Sequence, residues 1–114
     1  MGGGRQLNIP TEFALMGKTY KVKVNDNTGM DYNGYYNPQT LEISIAKGQP
    51  IDLAEHVFYH ELVHCILQTM NEKQLYEDEK FTDIFGGLLH QALNTAKGKL
   101  NLGGGGSLGK EKGR

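Results

Sequence analysis

The five residues from His60 to His64 read H-E-L-V-H and stand in a mostly apolar stretch. Two histidines four residues apart project from the same side of an α-helix, because four residues make slightly more than one turn. Their imidazoles can therefore bind one metal ion, and Glu61 can reach a water on that ion. The pattern predicts a helix with a zinc site, in which His60 and His64 are ligands and Glu61 is the general base.

The residues around this motif indicate that its helix is buried. Apolar side chains surround it on nearly every side, a distribution typical of a helix inside a core: Val57, Phe58, Leu62, Val63, Cys65, Ile66 and Leu67. An amphipathic helix with surface or satisfied core histidines is the alternative, and it fits these neighbours poorly. Two histidines and a glutamate in such surroundings are costly unless a partner neutralises them, and a metal ion is such a partner.

A catalytic zinc ion usually has three protein ligands and one open position, so the sequence must supply another ligand. Three acids follow the motif at Glu77, Asp78 and Glu79. We predict Glu79 as the third ligand, since it opens a helix that must pack on the motif helix; Glu77 and Asp78 remain alternatives. Glu79 could instead be an acid that complements the helix dipole. Asp83, one turn further, is expected to accept a hydrogen bond from a liganding imidazole.

The other histidines and the single cysteine are not predicted to bind this ion. His90 lies about 16 Å along the helix from Glu79 and is read as a surface or core histidine. His56 could line the cleft, but we interpret it as a polar residue near the start of the helix. Cys65 points about 100° away from His64 around the helix, so it is expected to fill space in the core.

Strands are predicted in the first half of the chain and helices in the second, which makes an α+β fold. Residues 11–15 and 18–24 form one hairpin, and residues 34–36 and 40–46 form another, with a loop at 25–33. The sheet, antiparallel or mixed, packs on two helices. The first helix is expected to begin at Asp52, with Glu55 completing a capping box, and to end near Met70.

The last helix is predicted to run from the acidic residues to about Gly98. Gly86 and Gly87 within it indicate close packing against the motif helix, because each glycine costs roughly 1 kcal/mol of helix stability relative to alanine. An apolar stripe follows the helix: Phe81, Ile84, Phe85, Leu88, Leu89, Ala92 and Leu93.

The 114 residues are enough for one domain. We expect a disordered N-terminus at 1–6, a folded domain at 7–97 and a flexible, glycine-rich basic tail at 98–114. The formal net charge is −1, and the core has no basic patch with interleaved aromatics, so no dedicated nucleic-acid binding is predicted. Neither a signal peptide nor an apolar run of membrane-spanning length is visible, which favours the cytoplasm and no membrane partner.

Strand hairpins, a helix bearing H-E-x-x-H and a helix that opens with an acid together resemble the minimal layout of zincin metallopeptidases. Glu79-x-x-x-Asp83 resembles the E-x-x-x-D of the gluzincin branch, in which the glutamate binds zinc and the aspartate orients a ligand histidine. The short chain resembles small metallopeptidases encoded by bacteriophages, which are distantly similar to SprT-like and ImmA/IrrE-like proteins. The resemblance covers about residues 11–96, and a phage origin would imply the host cytoplasm.

The expected activity is zinc-dependent hydrolysis of a peptide bond in a peptide or protein substrate. Zn²⁺ held by His60, His64 and Glu79 would lower the pKa of a bound water toward 7, and Glu61 would accept its proton. The resemblance implies that the substrate adds a strand to a sheet edge, for which residues 40–46 are the nearest in sequence. An oxyanion-stabilising donor is also expected, with Tyr35, Tyr36 and Tyr76 as possibilities.

Two other functions fit the same residues. The domain could be a regulator or adaptor that keeps the metal only for stability, in which case four protein ligands would close the site. It could also hydrolyse a non-protein amide, such as one in cell-wall peptide. The sequence does not set the oligomeric state.

Overall fold

The structure, a computed structural model, describes residues 6–26 and 33–103. It has the predicted α+β fold, with a small mixed sheet followed by helices. The strands are β1 (Glu12–Leu15), β2 (Lys18–Asn25), β3 (Gly34–Asn37) and β4 (Glu42–Ala46), and the helices are α1 (Ile51–Thr69), α2 (Lys73–Tyr76) and α3 (Glu79–Thr95). Our predictions for residues 1–5, for most of the 25–33 loop and for the tail beyond residue 103 lie outside the described residues.

Both predicted hairpins are confirmed, and a parallel pairing joins them. The strand order is β1-β2-β4-β3, with β1–β2 and β3–β4 antiparallel and β2–β4 parallel. Met16 and Gly17 both have positive φ, which gives the two-residue turn that matches the twist of a hairpin. Because β4 lies between β2 and β3, the prediction that residues 40–46 offer a sheet edge to substrate is wrong. Among the described strands, β3 forms the edge on that side of the sheet.

One face of the sheet packs on α1 to form the core. Strand alternation places Tyr20, Tyr36, Ile43 and Ile45 on this face, and Phe58 of α1 packs against them. Ile43 is fully buried, a burial that contributes about 1.5–3 kcal/mol for a side chain of this size. The sheet therefore fixes α1, and with it the H-E-L-V-H motif, in one orientation.

Gly34 allows β3 to lie directly on α1. A Cβ atom at this position would overlap the side chain of Val57, one turn before His60. The free edge of β3 is consequently held beside the motif.

The start of α1 differs from the prediction. The helix begins at Ile51, and Pro50 is its N-cap residue without a side-chain hydrogen bond. Pro50 holds φ at −57°, a value that leads into a helix, so no polar cap is needed to set the boundary. Asp52 lies in the first turn, and the predicted capping box with Glu55 is wrong.

Glu55 is instead a fully buried acid that joins three parts of the chain. Its Oε2 accepts the backbone N–H of Asn8 at 2.7 Å, and its Oε1 lies 2.9 Å from His90 Nε2 and accepts from Asn94 Nδ2 at 3.0 Å. Such bonds offset the large cost of burying a carboxylate. They bind the N-terminal segment and the end of α3 to α1.

The close packing predicted at Gly86 is confirmed. A Cβ atom on Gly86 would lie 3.0 Å from the backbone nitrogen of His60 and 3.1 Å from the carbonyl carbon of Tyr59. Gly87 faces the ring of His56. The side of α3 that is buried thus carries the small residues Thr82 and Gly86, and several members of the apolar stripe are exposed. Within residues 6–26 and 33–103, no helix is both long and apolar enough to cross a membrane.

Candidate metal centre

A cleft of about 560 Å³ lies between β3, the middle of α1 and the start of α3. Its apolar wall includes Leu53 and Val57, and Tyr35 and Tyr76 also line it. The polar wall gathers six side chains from the two helices: His56, His60, Glu61, His64, Glu79 and Asp83. All five residues that the sequence analysis assigned to the site are therefore in one cleft.

The three predicted ligands converge. Glu79 Oε1 lies 3.0 Å from His60 Nε2, and Glu79 Oε2 lies 3.3 Å from His64 Nε2. One donor atom from each residue lies within 4.8 Å of the others. Zinc–nitrogen and zinc–oxygen bonds of about 2.0 Å at tetrahedral angles put ligand atoms about 3.3 Å apart. Two imidazole nitrogens and a carboxylate at these separations fit a zinc ion.

The local structure of α3 explains why Glu79, and not its neighbours, meets the histidines. Asp78 is the N-cap residue of α3, and its carboxylate accepts the backbone N–H of Phe81 at 3.0 Å. Glu79 is therefore the first helical residue and projects toward α1. Glu77 is exposed in the turn before the cap, and neither alternative acid belongs to the group that could hold the ion.

Asp83 lies where it was predicted, one turn after Glu79. Its Oδ1 is 3.1 Å from His60 Nδ1, which leaves His60 Nε2 directed at Glu79. The same oxygen is 2.9 Å from His56 Nε2. Hydrogen bonds with His56, and then with His60, lower the pKa of Asp83, although partial burial acts in the opposite direction. A carboxylate that fixes the second nitrogen of a ligand imidazole is a common support for metal sites.

His56 lines the cleft, a placement that the sequence analysis considered but did not favour, because it interpreted His56 as a polar residue near the helix start. The sequence spacing indicates this placement, because His56, His60 and His64 recur at intervals of about one helical turn. The ring of His56 has room against α3 because Gly87 lacks a side chain; a Cβ there would lie 3.1 Å from His56 Cε1.

His64 is more buried than His60, the other candidate ligand histidine, and the centre of its ring lies 4.7 Å from that of Tyr76. Burial lowers its pKa, whereas the charge of Glu79 and the backbone of Tyr76 act in the opposite direction. The neutral imidazole that burial favours is the form that binds metal. Its buried Nδ1 has no partner among the described residues at standard hydrogen-bond distance and angle.

Glu61 is also buried, with 9% of its surface exposed. Burial raises its pKa from 4.5 to about 7; the charge of His60 lowers it and the charge of Glu79 raises it further. A carboxyl group with a pKa near 7 can both accept and release a proton at neutral pH.

The sequence analysis also considered three tyrosines, Cys65 and His90. Tyr35, Tyr36 and Tyr76 all line the cleft, and the Tyr36 hydroxyl also donates to Gln68 Oε1 at 2.5 Å. Cys65 is fully buried in the core, as expected, and burial raises the pKa of its thiol to about 12. His90 contacts Glu55 and does not join His60 and His64, which confirms the estimate from helix geometry.

Comparison of the chain with protein-family models, with curated proteins and with solved structures finds no match. The functional interpretation therefore rests on the residues of the cleft.

Proposed function

We propose that this protein is a zinc-dependent hydrolase of peptide bonds, with a zincin-like site. The proposal rests on one observation: the Nε2 atoms of His60 and His64 and the carboxylate of Glu79 meet beside the buried Glu61 in an open cleft. Three protein ligands leave one position of a tetrahedral zinc ion for water or substrate, which is the arrangement of catalytic sites. When bound, Zn²⁺ supplies a water of lowered pKa and a Lewis acid for the substrate carbonyl.

The donor set favours zinc. Imidazole nitrogen and carboxylate oxygen are common zinc ligands, whereas calcium and magnesium prefer oxygen alone. Asp83 supports the assignment because it holds the Nδ1 side of His60, so that Nε2 is presented to the ion. Glu79 pairs with both imidazoles, and a bound ion would take the place of those two contacts.

Glu61 has the position and chemistry of the general base. It lies between the ligand histidines in sequence, it lines the cleft, and burial holds its pKa near neutrality. It would accept the proton of the attacking water and then transfer it to the leaving amine, so the carboxylate is regenerated in each cycle.

The free edge of β3 supports a peptide as the substrate. Gly34 and Tyr35 of this strand line the cleft, and on the side away from β4 the strand pairs with no other described strand. An extended peptide that adds to this edge would be held by backbone hydrogen bonds, with its scissile bond near the ligands.

Four single variants test the proposal. Glu79→Gln and Glu77→Gln are a matched pair, because both are exposed acids two residues apart and only Glu79 meets the histidines. Zinc content is measured by elemental analysis, and hydrolysis is measured with unfolded casein and a quenched fluorescent peptide library. We expect Glu79→Gln and His60→Ala to lose zinc, and Glu77→Gln to retain it.

Glu61→Gln separates binding from chemistry. It should keep about one zinc ion per chain and lose hydrolysis by a factor of about 10² or more, the usual contribution of a general base. Hydrolysis by Glu61→Gln at the parental rate would overturn the role of Glu61. A parent protein that holds zinc tightly with four protein ligands and cleaves no peptide would instead identify a metal-stabilised module.

A further inference from the structure

The solvent-facing side of α3 carries an apolar stripe, here called the α3 stripe and defined as Phe81, Ile84, Phe85, Leu88 and Ala92. Ile84, Phe85 and Leu88 are 53%, 41% and 58% exposed. The stripe lies about 140° around the helix from Gly86, which packs on α1. Isolated exposed apolar residues are ordinary, but a contiguous strip of them marks a surface that binds something.

The spacing of the stripe is that of a helix-packing seam. Phe81, Phe85, Leu88 and Ala92 follow one another at steps of four, three and four residues, as the core positions of a coiled coil do. Residues 84–95 include no Asp, Glu, Lys or Arg, and the one histidine among them, His90, is turned toward Glu55. Over residues 84–95, no Asp, Glu, Lys or Arg side chain therefore opposes the approach of another apolar helix.

The α3 stripe is complementary to a second copy of itself when the two helices run antiparallel. When two copies of α3 are related by a twofold axis through the point midway between residues 86 and 87, Phe81 faces Ala92 and Phe85 faces Leu88. Each large ring then opposes a smaller side chain, which is how facing positions fill space without overlap. Twofold pairing is also closed, so it ends at a dimer.

Charges at the two ends of α3 favour the same direction. Its N-terminal end has the exposed acids Glu77 and Asp78, although Lys80 follows them, and two exposed lysines, Lys97 and Lys99, lie beyond its C-terminal end. An antiparallel pair brings the acidic end of one copy to the basic end of the other. A parallel pair would place like charges and like helix-dipole ends together.

We infer that the α3 stripe is a homodimer interface, in which α3 packs antiparallel on α3 of a second copy. The α3 stripe extends about 16 Å along the helix, from Phe81 to Ala92. One helix pair of this length is at the small end of specific interfaces, so the dissociation constant should be on the order of micromolar. The inference does not depend on the proposed hydrolysis.

Leu88→Lys and Leu93→Lys provide a matched test by sedimentation equilibrium from about 1 to 500 µM. Leu88 and Leu93 are on the same helix and are 58% and 55% exposed, but they point about 140° apart. We expect the parent and Leu93→Lys to double in mass with concentration, and Leu88→Lys to bind at least tenfold more weakly. A parent that is monomeric throughout, or equal effects of the two substitutions, would overturn the inference.

Disulfide cross-linking tests the direction. Chains carrying Phe81→Cys are mixed with chains carrying Ala92→Cys and are oxidised; the native Cys65 is fully buried and should not interfere. The antiparallel pair predicts a rapid cross-link in the mixture and little in either variant alone. Homotypic cross-links that form as fast as the mixed one would contradict the proposed pairing.

Discussion

Gly86→Ala should damage the proposed metal site without changing any of its candidate ligands. In an exposed helix, replacing glycine by alanine stabilises by about 1 kcal/mol. At Gly86, however, the new Cβ would lie 3.0 Å from the nitrogen of His60 and 3.1 Å from its Cα, whereas ordinary contacts are 3.4–4 Å. The obstacle is the backbone of α1, which cannot rotate aside, so α3 must withdraw by a few tenths of an ångström.

Overpacking of this kind costs about 1–3 kcal/mol. After the helix-propensity gain, the variant should be destabilised by up to about 2 kcal/mol. Glu79 and Asp83 would withdraw with α3 while His60 and His64 stay on α1. We therefore expect zinc affinity to fall by about tenfold or more, which corresponds to 1.4 kcal/mol.

Gly87→Ala is the matched control. It gains the same helix propensity, but its Cβ would meet only the ring of His56, whose Cε1 would be 3.1 Å away. A side chain can turn, so this variant should be neutral or more stable by up to about 1 kcal/mol. Urea unfolding in EDTA measures stability, and competitive titration against a chelating dye measures zinc affinity. If Gly86→Ala matches Gly87→Ala in both assays, the close contact does not set the position of α3.

Two further predictions concern the carboxylates of the cleft. Asp83→Asn should weaken zinc binding by about 10–100-fold, because the charge that orients His60 is lost; an unchanged affinity in the same titration would contradict this support. In zinc-free protein, Glu61→Gln should be more stable than the parent by up to about 3 kcal/mol at pH 8 and equal to it at pH 4. Burial raises the pKa of Glu61 from 4.5 to about 7 in the folded state, so the parent loses stability as the pH rises from 4.5 to 7. If urea unfolding shows the same stability advantage of Glu61→Gln at pH 4 and at pH 8, this explanation is refuted.

The sequence predicts the local part of the site well. One-turn spacing alone puts His60 and His64 on one side of a helix, and it also puts Asp83 one turn after Glu79. The choice of Glu79 over Asp78 depended on the start of α3, which is set by a capping hydrogen bond between Asp78 and Phe81.

Features that depend on contacts between distant parts of the chain were harder to predict. The parallel pairing of β2 with β4 joins two hairpins, and nothing in the local alternation of β4 distinguishes an inner strand from an edge. Glu55 has the spacing of a capping-box residue, yet its partners Asn8, His90 and Asn94 are far away in sequence. The spacing of apolar residues along α3 predicts an apolar side of the helix. It does not predict that the small residues Thr82 and Gly86 are the buried ones that pack on α1.

α3 presents Glu79 and Asp83 to α1 on one side and the α3 stripe to solvent on the other. Because α3 is one rigid helix, its two sides are coupled. A contact that holds the α3 stripe in place would also hold Glu79 and Asp83 in position for the ion. Coupling free energies are reciprocal, so an ion that locks α3 in place would strengthen self-association by the same factor by which self-association strengthens ion binding. The abundance of the protein would then help to set its own metal occupancy.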